Sequence, residues 1–137
     1  MKLISIISLA FIIPCLSLAV FIFLQRKTKV HYVWAVLNVV LALWGLGLYL
    51  VGASPNNERA LDAWKFAHVC IMFVPPVFYH TIHTFCGLTR RIFLRVNYLQ
   101  AFLFACFFIF TDLIINNANL VFGSLYYYRA TPGYSFT

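Results

Sequence analysis

Four long apolar runs, separated by short polar connectors, govern what this chain can fold into. A helix of about 20 apolar residues, rising ~1.5 Å per residue, reaches across the ~30 Å hydrocarbon core of a bilayer. Residues 3–24 and 33–53 carry no charge, and residues 98–119 carry one acid, Asp112. In lipid the backbone N–H and C=O groups must be satisfied by the protein itself, and unbroken apolar runs of this length do so as helices. The balance of residues agrees, because 9% are charged where a soluble domain holds about a quarter. The expected fold class is all-α, a polytopic transmembrane helical bundle with four spans over about residues 3–24, 33–53, 60–87 and 98–119. No soluble domain is expected within residues 1–137.

The first run follows Lys2 and has the charge pattern of a signal peptide at its start. A signal's apolar region covers about 7–15 residues and ends at a small-residue cleavage site. Here the run continues through Ser17-Leu18-Ala19 into Val20-Phe21-Ile22-Phe23-Leu24, which reads as an uncleaved span. Ile12-Ile13-Pro14 before Cys15 does not fit a lipoprotein signal.

A net charge of +7 would suggest nucleic acid in a soluble protein, but the positions of the charges point elsewhere. Arg26, Lys27 and Lys29 lie between the first two runs, and Arg90, Arg91 and Arg95 between the third and fourth, with no acid in either group. The connector between the second and third runs is followed by a mixed set, Glu58, Arg59, Asp62 and Lys65. By the positive-inside rule the first and third connectors face the cytoplasm, which puts the N-terminus outside. Ser54-Pro55-Asn56-Asn57 reads as a turn and helix start, with Ser54 or Asn57 as the N-cap.

The third run, residues 58–87, is the most informative. It opens with charges, holds Pro75 and Pro76 near its middle, and carries His80 and His83 near its end. Each proline removes a backbone donor and crowds the preceding turn, so the span is expected to kink or break there, and Pro75 and Pro76 are the candidate hinge. His80 and His83, three apart, share one helical face; they are weak metal or haem candidates, because metal sites want three or four ligands. The alternative is that they bond to backbone or to polar groups of a neighbouring helix.

In the second run Ala35, Asn38, Ala42, Gly45, Tyr49 and Gly52 recur at steps of three and four, one stripe of a helix. Small residues let a neighbouring helix approach closely where lipid supplies no hydrophobic drive, and Ala42 and Gly45 are the candidate packing positions. The other reading makes Asn38 and Tyr49 part of a polar pocket. Trp34 suits an interfacial anchor, whereas Trp44 is too deep for that and is expected to pack.

Asp112 is the acid within an apolar run, and such residues are costly enough in lipid to mark function by default. On a helix, Asn116 and Asn119 would share its face. His68, one turn below Lys65, is expected at a similar depth on the third span, so His68, Asp112 and Asn116 are the candidate ligand-sensing residues. A His68–Asp112 pair would respond to pH near neutrality. The alternative is that the fourth helix surfaces early and leaves Asp112 solvated. The four cysteines show no CxxC spacing and read as buried free thiols. No phosphate-binding glycine run, HExxH or GxSxG is present. Neither enzymatic activity nor a cofactor is expected.

Several of these stretches together resemble a known family. Trp44-Gly45-Leu46-Gly47, Ala60-Leu61-Asp62-Ala63-Trp64-Lys65-Phe66, Pro75-Pro76-Val77-Phe78-Tyr79-His80 and Phe85-Cys86-Gly87 resemble the N-terminal seven-helix membrane region of certain bacterial sensor histidine kinases. Tyr127-Tyr128, Pro132-Gly133 and Phe136 look like the approach to that region's fifth helix. The resemblance implies a fragment with the first four of seven helices, and a cytoplasmic transmitter domain of a two-component system downstream.

The expected function is thus a membrane-embedded sensory input module of a signal-transduction protein, in the cell membrane. A small transporter or channel subunit, with Asp112 and the histidines lining an ion path, is the alternative, as is a membrane assembly protein. The expected partners are the lipid bilayer, the downstream transmitter domain and a second copy in a homodimer; nucleic acid is not among them.

Overall fold

A computed structural model describes residues 3–25, 28–110, 115–121 and 125–130, the last two stretches through their backbone. Five helices precede a hairpin: α1 Leu3–Leu24, α2 Lys29–Ala53, α3 Asn57–Met72, α4 Val74–Phe85 and α5 Ile92–Phe110, then β1 Ile115–Val121 and β2 Leu125–Ala130. With α3 and α4 taken as one broken span over Asn57–Phe85, four helices are long and apolar enough to cross a membrane. The four stretches long and apolar enough to span are all helical.

The spans form an open layer. Helix α1 packs on α2, α2 packs on both halves of the third span, and α5 lies against α3 and α4; among the described residues α1 and α5 do not touch. Large apolar side chains such as Phe21, Phe102 and Phe104 are correspondingly exposed along the two outer helices. In water such a surface would drive association, whereas lipid tails solvate it.

Small residues on α2 let its neighbours come close. A Cβ at Gly45 would lie 2.9 Å from Ile12 Cγ1 and 3.1 Å from Phe11 Cδ1, and a Cβ at Gly52 would collide with Ile4 and Ser5, so one stripe of α2 receives α1. Ala42 is buried on the same helix. Trp44 packs edge-on against Phe11, with ring centroids 5.8 Å apart. Asn38 spends its amide within its own helix, where Nδ2 donates to Trp34 O at 2.9 Å. Gly47, off that stripe, meets α3 at Ala67. The buried cluster of Val51, Ala63 and Trp64, with Leu48 against it, joins α2 to the first half of the third span.

The α2–α3 connector differs from the expected capping. Neither Ser54 nor Asn57 is the N-cap: Asn56 has extended backbone and its Oδ1 accepts from Arg59 N at 3.1 Å. Ser54 instead closes α2, its hydroxyl donating to Leu50 O at 2.7 Å and its amide to Val51 O at 3.3 Å. A serine hydroxyl reaches back as readily to an i−4 carbonyl as forward to an amide, so the pattern left both ends open to it.

The break in the third span falls at Phe73, immediately before the prolines. Pro75 and Pro76 have no amide to give the carbonyls of Ile71 and Met72, so the ladder lapses there and resumes with Val77 N donating to Phe73 O at 3.2 Å. The prolines occupy the first turn of α4, where amides have no intrahelical partner in any case.

The fourth span differs most from expectation. It begins at Ile92 rather than near Tyr98 and ends at Phe110, and residues 115–119, expected to continue it, belong to β1 instead. Strand β1 pairs antiparallel with β2, matching Asn117 to Arg129, Asn119 to Tyr127 and Val121 to Leu125, with a register slip between Ile115 and Asn117. The reason is local: asparagines are weak formers of helix and strand alike and so do not carry the helix on, while the tyrosines of residues 126–128 favour a pleated pairing. The hairpin lies against α3, and β2 also reaches α2.

Candidate functional site

Two places gather polar side chains, one on each half of the third span. On α3, His68 Nδ1 donates to Trp64 O at 2.8 Å, since a carbonyl can only accept, which places a proton on that nitrogen. The His68 ring stacks on Phe108 of α5 with centroids 5.2 Å apart and planes 8° from parallel, and it lies 5.7 Å from the Trp64 ring. Of the expected partners, Asp112 lies outside the described residues. Asn116 and Asn119 belong to β1, so the shared helical face with Asp112 is not formed. A helical repeat applied beyond Phe110 produced that expectation, and the hairpin removes it.

The other place lies where α4 ends. A cavity of about 800 Å³ opens between the first turn of α2, the last turn of α4 and the start of α5. Lys29, His80, His83, Thr84 and Arg91 contribute its polar lining, and Tyr32, Val33 and Leu94 are among its apolar walls. Lys29 and Arg91 come from the two basic connectors, which therefore share one end of the molecule.

The two histidines are held differently. His83 is 5% exposed, and its Nε2 donates to the carbonyl of Arg90 at 3.1 Å, which ties α4 to the chain entering α5. His80 Nδ1 hydrogen-bonds the Tyr98 hydroxyl of α5 at 3.1 Å, with the rings edge to face. Both thus bond to backbone or to a neighbouring helix. Among the described residues no third His, Cys, Asp or Glu joins them to make a metal-binding group. The cysteines are free thiols: Cys15 and Cys70 are buried, whereas Cys86 is exposed beside the cavity's Gly87.

The end of α4 is closed by backbone alone. Gly87, at φ 63°, lets Leu88 N donate to His83 O at 3.0 Å and its own amide donate to Thr84 O at 3.3 Å, the paired bonds of a Schellman motif. Thr84 Oγ1 donates to His80 O at 2.8 Å. Gly87→Ala meets no steric neighbour, yet strains the left-handed backbone. It is expected to lower stability by about 1 kcal/mol in a detergent unfolding titration, with Gly87→Asn losing less because Asn tolerates that region.

No protein-family model, curated protein or solved structure matches this chain. The chemistry of the site therefore follows from its own geometry. Sequence reasoning missed Tyr98 as the partner of His80 and Lys29 as a wall of the cavity. Tyr98 was expected to open the fourth span, but α5 begins at Ile92, which carries Tyr98 inward to the level of His80. Lys29 was counted as a topology signal, although its place on the first turn of α2 carried the further information.

Proposed function

We propose that this chain is a membrane-embedded sensory input module, with its N-terminus outside and its two basic connectors in the cytoplasm. It belongs by this reading to the membrane region of a sensor histidine kinase and hands a helix movement to a cytoplasmic output. One observation carries the proposal: the third span breaks at Phe73, and each half grips the same neighbouring helix. His68 of α3 stacks on Phe108, and His80 of α4 bonds to Tyr98, both on α5. A change of angle at the break would move the two ends of α5 in different senses, as hinged elements do when they convert a local event into a displacement. The prolines keep two amides out of the ladder, so bending there costs less than in a continuous helix. The excess of basic residues in the first and third connectors supports the orientation.

The coding sequence beyond codon 137 gives the first test. Further apolar spans followed by a soluble segment with a phosphoacceptor histidine are the expected result, and a stop codon at that point would overturn the reading. In a protein carrying such an output, Pro75→Ala with Pro76→Ala restores two backbone donors and stiffens the span. Basal autophosphorylation is then expected to shift by about fivefold or more, the scale of ordinary coupling energies. An unchanged basal level and unchanged response would remove the hinge from the mechanism.

A further inference from the structure

We infer that the cavity at the basic end binds a phosphate group, carried by an anionic phospholipid headgroup at the membrane surface or by a small phosphate ester in the cytoplasm. This rests on the orientation proposed above, with the basic connectors in the cytoplasm, and not on the sensory reading.

Among the described residues its lining is cationic or neutral. Lys29 of α2 and Arg91 just before α5 supply the charge, His80, Thr84 and Thr89 add polar groups, and no described acid lines it. Of the chain's three acids, Asp112 lies outside the described residues, and Glu58 and Asp62 stand on the first two turns of α3. Along the third span, Asp62 is about 30 Å of helix rise from His83, at the opposite end of the span and so in the other aqueous boundary. The charge of Glu58 and Asp62 therefore does little to neutralise Lys29 and Arg91.

The backbone adds to the same field. The first turns of α2 and α5 both border the cavity, and neither contains an acidic residue. Thr28, at the N-cap of α2, does not cap it: its hydroxyl bonds His31 Nδ1 at 2.6 Å instead. The first amides of α2 thus keep their donors for another acceptor, and a helix N-terminus favours an anion. At α4, whose C-terminus also borders the cavity, the carbonyls of His80, His83 and Thr84 already accept bonds from Thr84, Leu88 and Gly87. The carbonyls at that end are thus largely engaged, whereas the first turn of α2 has no side-chain cap.

Size and depth suit a headgroup. About 800 Å³ is at the upper part of the range for small-molecule sites. Tyr32, Val33, Leu88 and Leu94 offer an apolar margin for a glycerol or acyl portion beside the charged part. Basic pockets between spans on the cytoplasmic side are where anionic lipid headgroups are bound. Lys29 and Arg91 are exposed, so replacing either leaves the buried packing intact.

The test uses the full chain in nanodiscs of phosphatidylcholine with phosphatidylglycerol, and in nanodiscs of phosphatidylcholine alone. Retained lipid is counted by mass spectrometry after detergent extraction. Lys29→Gln and Arg91→Gln are compared with Arg95→Gln, a basic residue of the same region that does not line the cavity. Retention of phosphatidylglycerol over phosphatidylcholine is expected to fall about fivefold in each cavity variant, the factor equivalent to ~1 kcal/mol per basic side chain near an anionic surface. Arg95→Gln is expected to leave it within about twofold. That outcome assigns the site to lipid. If phosphatidylglycerol is not enriched, but glycerol phosphate raises the melting temperature in phosphatidylcholine nanodiscs and does so only with Lys29 and Arg91 in place, the ligand is the soluble ester. Enrichment that Arg95→Gln reduces as much as the cavity variants, or no response to either probe, overturns the proposal.

Discussion

Replacing Gly47 by leucine is expected to part α2 from α3 and cost the bundle about 3 kcal/mol or more, the upper end of what overpacking does in a tight core. A Cβ at this position would lie 2.7 Å from Ala67 Cβ, 2.8 Å from Ala67 Cα and 3.0 Å from Ala67 N. Two of those three atoms belong to the backbone of α3, so no side-chain rotation relieves the clash. Ala67 is itself 1% exposed, with no room behind it. A milder series isolates the cause. Gly47→Ala is expected to lose about 1–3 kcal/mol, and Ala67→Gly should restore part of that by removing the nearest atom while leaving the α3 backbone where it stands. Gly45→Ala should cost less than Gly47→Ala, because its nearest neighbours are the side chains of Ile12 and Phe11, which can shift. Unfolding by SDS titration, followed by circular dichroism, reads the whole series. If Gly45→Ala proves the more damaging, the α2–α3 interface is not the tighter one.

Trp64→Ala is the second large effect. The side chain is 8% exposed and forms the buried cluster with Val51 and Ala63, while its ring lies 5.7 Å from that of His68. Truncation leaves a cavity between α2 and α3 and takes one wall from the histidine that stacks on Phe108. In a soluble core such a change costs about 3–5 kcal/mol. In lipid the apolar transfer contribution is largely absent and lost dispersion contacts remain, so about 3 kcal/mol is expected. Trp34→Ala is the control, because Trp34 is 45% exposed; it should cost less than about 1 kcal/mol. Equal losses from the two would mean that the buried cluster contributes no more than an exposed tryptophan at the other end of α2.

The helical character of each run was legible because it depends on local properties. Hydropathy over about 20 residues decides whether a helix can cross a bilayer, and the helices that result are long and apolar enough to do so. The break near Pro75 and Pro76 follows from missing amides, which can be counted along the chain. The stripe containing Gly45 and Gly52 was visible for the same reason, since its periodicity belongs to one helix. Gly47 was not marked, because it faces a different neighbour from the one that the stripe receives. The end of α5 was also misread: apolar content continued past Phe110, and hydropathy does not distinguish a helix from a strand that pairs with the following residues.

The sequence by itself determined four apolar spans, a proline-interrupted third one and two basic connectors separated by an even number of crossings, which must therefore lie at one end. It did so because backbone satisfaction in lipid, proline geometry and connector parity act within or between adjacent segments. Only the tertiary structure decided that α2 touches α3 through Gly47, that His80 meets Tyr98 and His68 meets Phe108, and that Lys29 and Arg91 border one cavity. Each of those meetings depends on the rotation and relative depth of two helices. A shift of one residue turns a helix by about 100°, and that register is settled by packing between spans rather than by the pattern within either one.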